Sequence, residues 1–334
     1  MTYCSAAARA GACPMLFSCC SGYNFYISDG RRPGTMLSKP KSIIQHVKTQ
    51  ERFFLSPFPD GIFSGLDYWV WLVRNPAALK NYVWPVDVVA LPDSPGDPRH
   101  ALVFPARAYP GFESLAPLLS NSAQAGCQHA QLIANLLDAW CSFYRSKYAY
   151  HEFSPENMFF RKNDFRVMFD FSFSIQRASS LYDAWHVSPE RVAPDFADSY
   201  YYNDARKSKM DLASDYYSIA VILFKLLVGR LPYHGKVMEH EPDCGALEHS
   251  NWMGVYHKNT YFIFDPEDDT NHIGGETGFA NDEAFVDRWN SLPGRTRGMF
   301  IDVFRASNVQ RSAGNLVFYP PWEWREALQI GQHG

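Results

Sequence analysis

Short β-favouring runs separated by turn residues occupy the first third of the chain. Phe25–Ile27, Ser42–Val47 and Arg52–Leu55 read as strands, with Asp29-Gly30, Pro33-Gly34 and Lys48–Glu51 as the turns between them. β-branched and aromatic residues suit a pleated surface, whereas Gly, Pro and Asp suit reversals, so these runs predict a small antiparallel sheet. Ile62–Arg74 predicts a short apolar helix that stops at Asn75-Pro76, because the residue before a proline is pushed out of helical geometry. Strands resume over Tyr82–Leu91 and Ala101–Phe104 around the turn-rich Pro92–Arg99, and Pro105–Pro117 reads as an irregular connector.

Beyond the connector the period changes. Leu132, Ile133, Leu136, Leu137, Trp140 and Phe143 recur at helical intervals along one face, which predicts an amphipathic helix. A second apolar helix spans Asp215–Val228 and stops at Gly229 and Pro232, residues that close helices. Two short strands with polar turns lie between them, and no internal repeat is present. The pattern predicts an α+β chain: a flexible extension over 1–22, a strand-rich part over 23–104, a hinge over 105–120 and a mainly helical part over 121–334.

Composition narrows the class. The 334 residues suffice for a substantial core divided in two, and 46% hydrophobic with 20% charged residues exclude wholesale disorder. The formal net charge of -4 supplies no global attraction for nucleic acid or an anionic membrane, so neither is expected as a partner. Cys4, Cys13, Cys19 and Cys20 crowd the start without C-x-x-C spacing or nearby histidines, which argues against a metal site there and for reduced thiols in a cytoplasmic setting. Met1–Cys20 carries only Arg9 as a positive charge and no sustained apolar core, a poor signal peptide. Trp69–Val73 and Ile219–Val228 fall far short of the roughly 20 apolar residues of a membrane helix and read as core.

The residues that carry chemistry follow Tyr150. The segment His151-Glu152-Phe153-Ser154-Pro155-Glu156-Asn157 places a carboxylate five positions before an amide. Thirteen residues after Asn157, a short apolar run ends in Asp170-Phe171-Ser172. Val192-Ala193-Pro194-Asp195 comes next, then the helix opened by Asp215 and the segment Gly229-Arg230-Leu231-Pro232-Tyr233. Taken in order, these motifs resemble the protein-kinase-like superfamily, in particular a bacterial Ser/Thr kinase-like group, over roughly Leu132–Pro232. Asn75-Pro76 and Tyr82–Val89 resemble the approach to the fourth strand of that group.

The resemblance implies a bilobal fold, with a small antiparallel-sheet N-lobe and a helical C-lobe. It also implies ATP and Mg2+ as cofactors and a protein substrate or binding partner. Glu152 takes the catalytic-loop position, where a carboxylate orients the attacking Ser or Thr hydroxyl. Asn157 and Asp170 take the metal-ligand positions, oxygen donors suited to magnesium on phosphates. Asp215 takes a structural position, bonding backbone groups of the catalytic loop. Asp195 and Arg311, the latter upstream of Trp322 and Trp324, take the positions of a buried ion pair. Asp67 falls at the regulatory-helix acid, and Arg52 near the ATP-binding lysine.

The pattern departs from the family in the nucleotide machinery. No G-x-G-x-x-G lies between Met1 and Pro59, and Lys39, Lys41, Lys48 and Arg52 compete for the lysine position. Glu152 stands where the family has aspartate; a displacement of about 1 Å is enough to slow transfer on the order of a hundredfold. His151 is assigned no catalytic role, and Tyr150 occupies the motif's usual histidine position. Two leading readings therefore stand: a phosphotransferase moving the terminal phosphate of ATP to a Ser or Thr hydroxyl, or a pseudokinase that keeps the fold as a binding or allosteric module. A kinase-like enzyme with another phosphate-transfer chemistry or a small-molecule acceptor is a third, since fold resemblance does not fix the substrate. The aromatics between Trp252 and Phe264 read as buried packing.

Overall fold

The computed structural model describes residues 16–18, 24–27, 42–46, 51–58, 66–76, 80–90, 100–105, 110–121, 125–126, 129–146, 148–150, 157–171, 175–177, 182–183, 209–210, 212–239, 261–274, 282–305 and 317–329. The chain is mixed α and β with antiparallel sheets, and divides into two units, Met1–Gly111 and Phe112–Gly334.

In the first unit, β1 (Leu16–Ser18), β2 (Asn24–Ile27), β3 (Ser42–His46) and β4 (Arg52–Pro57) form a meander. Helix α1 (Leu66–Arg74) follows, then β5 (Asp87–Ala90) and β6 (His100–Pro105). The sheet order is β1-β2-β3-β4-β6-β5, all antiparallel. Strand β6 therefore runs between β4 and β5, and its four residues Ala101–Phe104 are all fully buried. A strand buried on both faces needs a continuous apolar run rather than alternation. Trp69 and Leu72 supply the buried face of α1, which packs against β5, with the Trp69 ring 5.5 Å from that of Phe58.

Local chemistry trims these elements. Strand β5 begins at Asp87 rather than Tyr82, because Pro85 has no N–H for the ladder; the Val86 N–H rejoins it at the Val103 carbonyl, 2.7 Å away. Helix α1 ends where expected, the Asn75 N–H and side-chain amide both donating to the Trp71 carbonyl. Strand β1 falls within the stretch expected as a flexible extension, where it pairs with β2.

In the second unit, β7 (Phe112–Ser114) and α2 (Ala116–Ser120) occupy the expected hinge. Next come α3 (Ala130–Arg145), β8 (Tyr148–Ala149), β9 (Met158–Arg161) and β10 (Val167–Phe169). The short strands β11 (Gln176–Arg177), β12 (Tyr182–Asp183) and β13 (Lys209–Met210) lead to α4 (Leu212–Leu227). Helices α5 (Lys236–Glu239), α6 (Asp282–Ser291), α7 (Gly294–Arg305) and α8 (Pro321–Ala327) complete the described elements. Strand β9 pairs with both β7 and β10, β8 with β11, and β12 with β13.

Helix α4 is the centre of this unit: from Tyr217 to Leu227 every residue except Lys225 is buried, as an apolar-all-round helix must be. Phe224 meets Phe262, Trp289, Phe300 and Phe304 at ring distances of 5.2–6.2 Å. Phe262 and Phe264 thus join the core aromatics, and Phe264 stacks on Trp289 at 4.6 Å. The 261–274 segment is pinned by Asn271, whose amide donates to the Tyr233 and Tyr261 carbonyls and accepts from the Val237 N–H. Gly235 is required beside it, since a Cβ there would collide with the Asn271 backbone oxygen.

His234, on the same junction, is held neutral: burial first, then the charges of Arg230 and Lys225, pull its pKa down to about 4. The unfolded chain therefore binds more protons between pH 6.5 and 4, so stability falls with acidification through that window. Between pH 7 and pH 5 this group alone is expected to remove about 2 kcal/mol. Urea unfolding at the two pH values checks it, with His234→Gln losing that part of the difference.

Candidate functional site

Three elements of the second unit converge at Asp215. Helix α3 carries Tyr144 in its last turn, β8 leads directly into Tyr150, and Asp215 sits in the first turn of α4. Asp215 is 1% exposed, and a carboxylate is buried at acceptable cost only when hydrogen-bonded. Its Oδ2 accepts from the Tyr144 hydroxyl at 2.8 Å and from the Tyr150 backbone N–H at 2.9 Å. Burial and the neighbouring Asp215 charge raise the pKa of Tyr216, keeping that phenol neutral.

Tyr150 carries the connection onward. Its hydroxyl donates to the backbone carbonyl of Asp170 at 2.7 Å, and its ring lies edge-on to Phe143 and Phe169 at 5.8 and 6.1 Å. One buried residue, through its backbone N–H on one side and its hydroxyl on the other, therefore ties the start of α4 to the turn after β10. Phe143 and Phe169 fix its direction, since aromatic rings pack in definite edge-to-face geometry.

The β9–β10 hairpin places the two candidate metal ligands. Its register pairs Met158 with Phe169 and Phe159 with Met168, so Asn157 and Asp170 stand opposite each other at its open end. The Asp170 N–H donates to the Asn157 carbonyl at 2.8 Å, extending the ladder. The Phe171 N–H donates to Asp170 Oδ1 at 2.9 Å, the local bond by which aspartate stabilises turns. Both residues are buried, Asp170 at 2% and Asn157 at 7% exposure.

Two further expected site residues belong to the first unit. Arg52 opens β4 in the first unit, exposed and paired through the backbone with Gln45. Asp67 lies exposed in the first turn of α1, and among the described residues no ion pair reaches it. Glu152, Asp195 and Arg311 lie outside the described residues, as does His151. A buried ion pair among the described residues is Arg230–Asp282, 2.8 Å apart.

Tyr144 and the hydroxyl role of Tyr150 were missed from sequence. Tyr150 was detectable by its motif position, whereas Tyr144 gives no signal beyond the helical period of α3. Among the described residues, no cluster of three or more His, Cys, Asp or Glu side chains could hold a metal, and no helix is long and apolar enough to cross a membrane. No family model matches the chain, and no curated protein matches it.

Proposed function

We propose that this chain is a bilobal protein-kinase-like phosphotransferase that moves the terminal phosphate of ATP to a Ser or Thr hydroxyl. The observation that carries the reading is the relay from Asp215 through Tyr150 to Asp170. It joins residues from three separate motifs in the manner expected of a kinase catalytic loop braced by its central helix. The opposition of Asn157 and Asp170 across the hairpin supports the same reading.

The donor set fits magnesium. One amide and one carboxylate leave most of the coordination sphere to phosphate and water oxygens, which this hard, reluctantly dehydrated cation prefers. Bound there, the metal supplies charge neutralisation on the phosphates. Asn157 and Asp170 hold it, Tyr150 fixes the backbone of Asp170, and Glu152 orients the acceptor hydroxyl.

A second reading, a kinase-like binding module without transfer, draws on the first unit. Asp67 is exposed without an ion pair among the described residues, although the resemblance puts it where a lysine would be anchored. Thermal unfolding with and without Mg-ATP separates the two. A ligand that binds only the folded state adds about 2.7 kcal/mol at a hundred times its Kd, so the wild-type midpoint is expected to rise and Asp170→Asn to lose the rise. No shift at saturating Mg-ATP removes the phosphotransferase reading.

A further inference from the structure

Helix α1 is apolar nearly all round, a pattern that belongs to helices covered on every face. Apart from Asp67 and Arg74 its residues are apolar or aromatic, yet only Trp69 and Leu72 are buried. Val70 and Trp71 are half-buried, and Leu66 is exposed at the start of the helix. The buried side packs on β5 and Phe58, so the helical period turns Val70 and Trp71 to the opposite side.

Two opposite charges frame this outward face. Asp67 and Arg74 are nearly two full turns apart, about 10 Å along the axis, and share one side of the helix with Val70 and Trp71 between them. Both are exposed, and among the described residues no ion pair reaches either. An acid in the first turn and a base in the last also complement the helix dipole. That accounts for their signs but not for their alignment with the apolar pair.

Self-complementarity selects the occupant. A two-fold axis perpendicular to α1, through the midpoint between Val70 and Trp71, sets a second α1 antiparallel to the first. Asp67 then faces the partner's Arg74, Arg74 faces the partner's Asp67, and Val70 and Trp71 meet their counterparts in the centre. Two-fold pairs, in which one patch serves both subunits, are the commonest assemblies of identical chains. An apolar, aromatic centre with a charged rim is the usual anatomy of such contacts. A partner of another sequence sets no requirement for opposite charges at equal distances from the centre. A helix of nine residues is small beside a standard interface, so association is expected to be weak and concentration-dependent.

We infer that two copies of the chain associate through this face of α1, with the helices antiparallel about Val70 and Trp71. Sedimentation velocity of the full chain without nucleotide tests it, over about 1 to 100 μM, where small interfaces are part-associated. The wild type is expected to pass from monomer to dimer within that range. Asp67→Arg alone, or Arg74→Asp alone, sets two like-charge pairs across the axis. Each is expected to weaken the dimer at least about tenfold, because the two-fold counts every pair twice. Mixing the two single variants is expected to restore association as a heterodimer, since one then offers two positive charges and the other two negative ones. A dipole role alone gives no such rescue. Both substitutions are at exposed positions, and re-association on mixing requires both variants to be folded. A wild type that stays monomeric throughout the range, single variants that dimerise normally, or a mixture that does not re-associate each overturns the proposal.

Discussion

Asp215→Ala is expected to lower the unfolding free energy by about 4 kcal/mol, read as a reduced urea midpoint at unchanged slope. Two hydrogen bonds to a charged acceptor vanish together, each worth about 1.5–3 kcal/mol. They leave the Tyr144 hydroxyl and the Tyr150 N–H buried without that partner. Asp215→Asn keeps one oxygen able to accept both donors and is expected to lose less than half as much. The variants also separate structure from chemistry. If Asp215 acts by bracing Tyr150, Tyr150→Phe is expected to lose about 1–2 kcal/mol through the Asp170 carbonyl alone and to weaken Mg-ATP binding with it. Asp215→Ala with wild-type stability removes the bracing role.

Asp282→Ala is expected to be comparably severe, at about 3–5 kcal/mol, because it leaves Arg230 buried without its counter-charge. The pair is only 6% and 7% exposed, and Asp282 Oδ2 also accepts from the Gly274 N–H at 3.0 Å. Arg230 stacks over the Phe285 ring at 5.1 Å, which softens but does not replace the lost charge. The double variant Arg230→Met with Asp282→Leu is expected to recover most of the loss, since two apolar side chains of similar volume avoid the desolvation of both ions. A double-mutant cycle in urea reads the coupling. A double variant as unstable as Asp282→Ala alone places the loss in the Gly274 bond and the surrounding loop instead.

The apolar periods of α3 and α4 were legible in the sequence because a helix repeats its buried face at short, fixed intervals. Leu132, Ile133, Leu136, Leu137, Trp140 and Phe143 are all buried in α3, and Gly229 and Pro232 follow the end of α4. The hairpin opposition of Asn157 and Asp170 is nearly local as well, since its register follows from the turn between β9 and β10. Breakers such as Asn75-Pro76 act through the backbone of adjacent residues and need no partner.

Other features depend on partners that sequence spacing does not name. Nothing in the order β4, β5, β6 says that β6 inserts between the other two; burial of Ala101–Phe104 on both faces decides it. Arg230 and Asp282 are 52 residues apart, and no motif or spacing in the sequence links them. Tyr150 presents a backbone N–H to Asp215 and a hydroxyl to Asp170, two roles that become visible only once α3, α4 and the hairpin pack together. Sequence by itself determined the elements and the order of the motifs, because those follow from local sterics and hydrophobic period. Tertiary packing decided which buried polar groups meet, because a buried donor or acceptor must be satisfied by whatever neighbour the fold brings within reach.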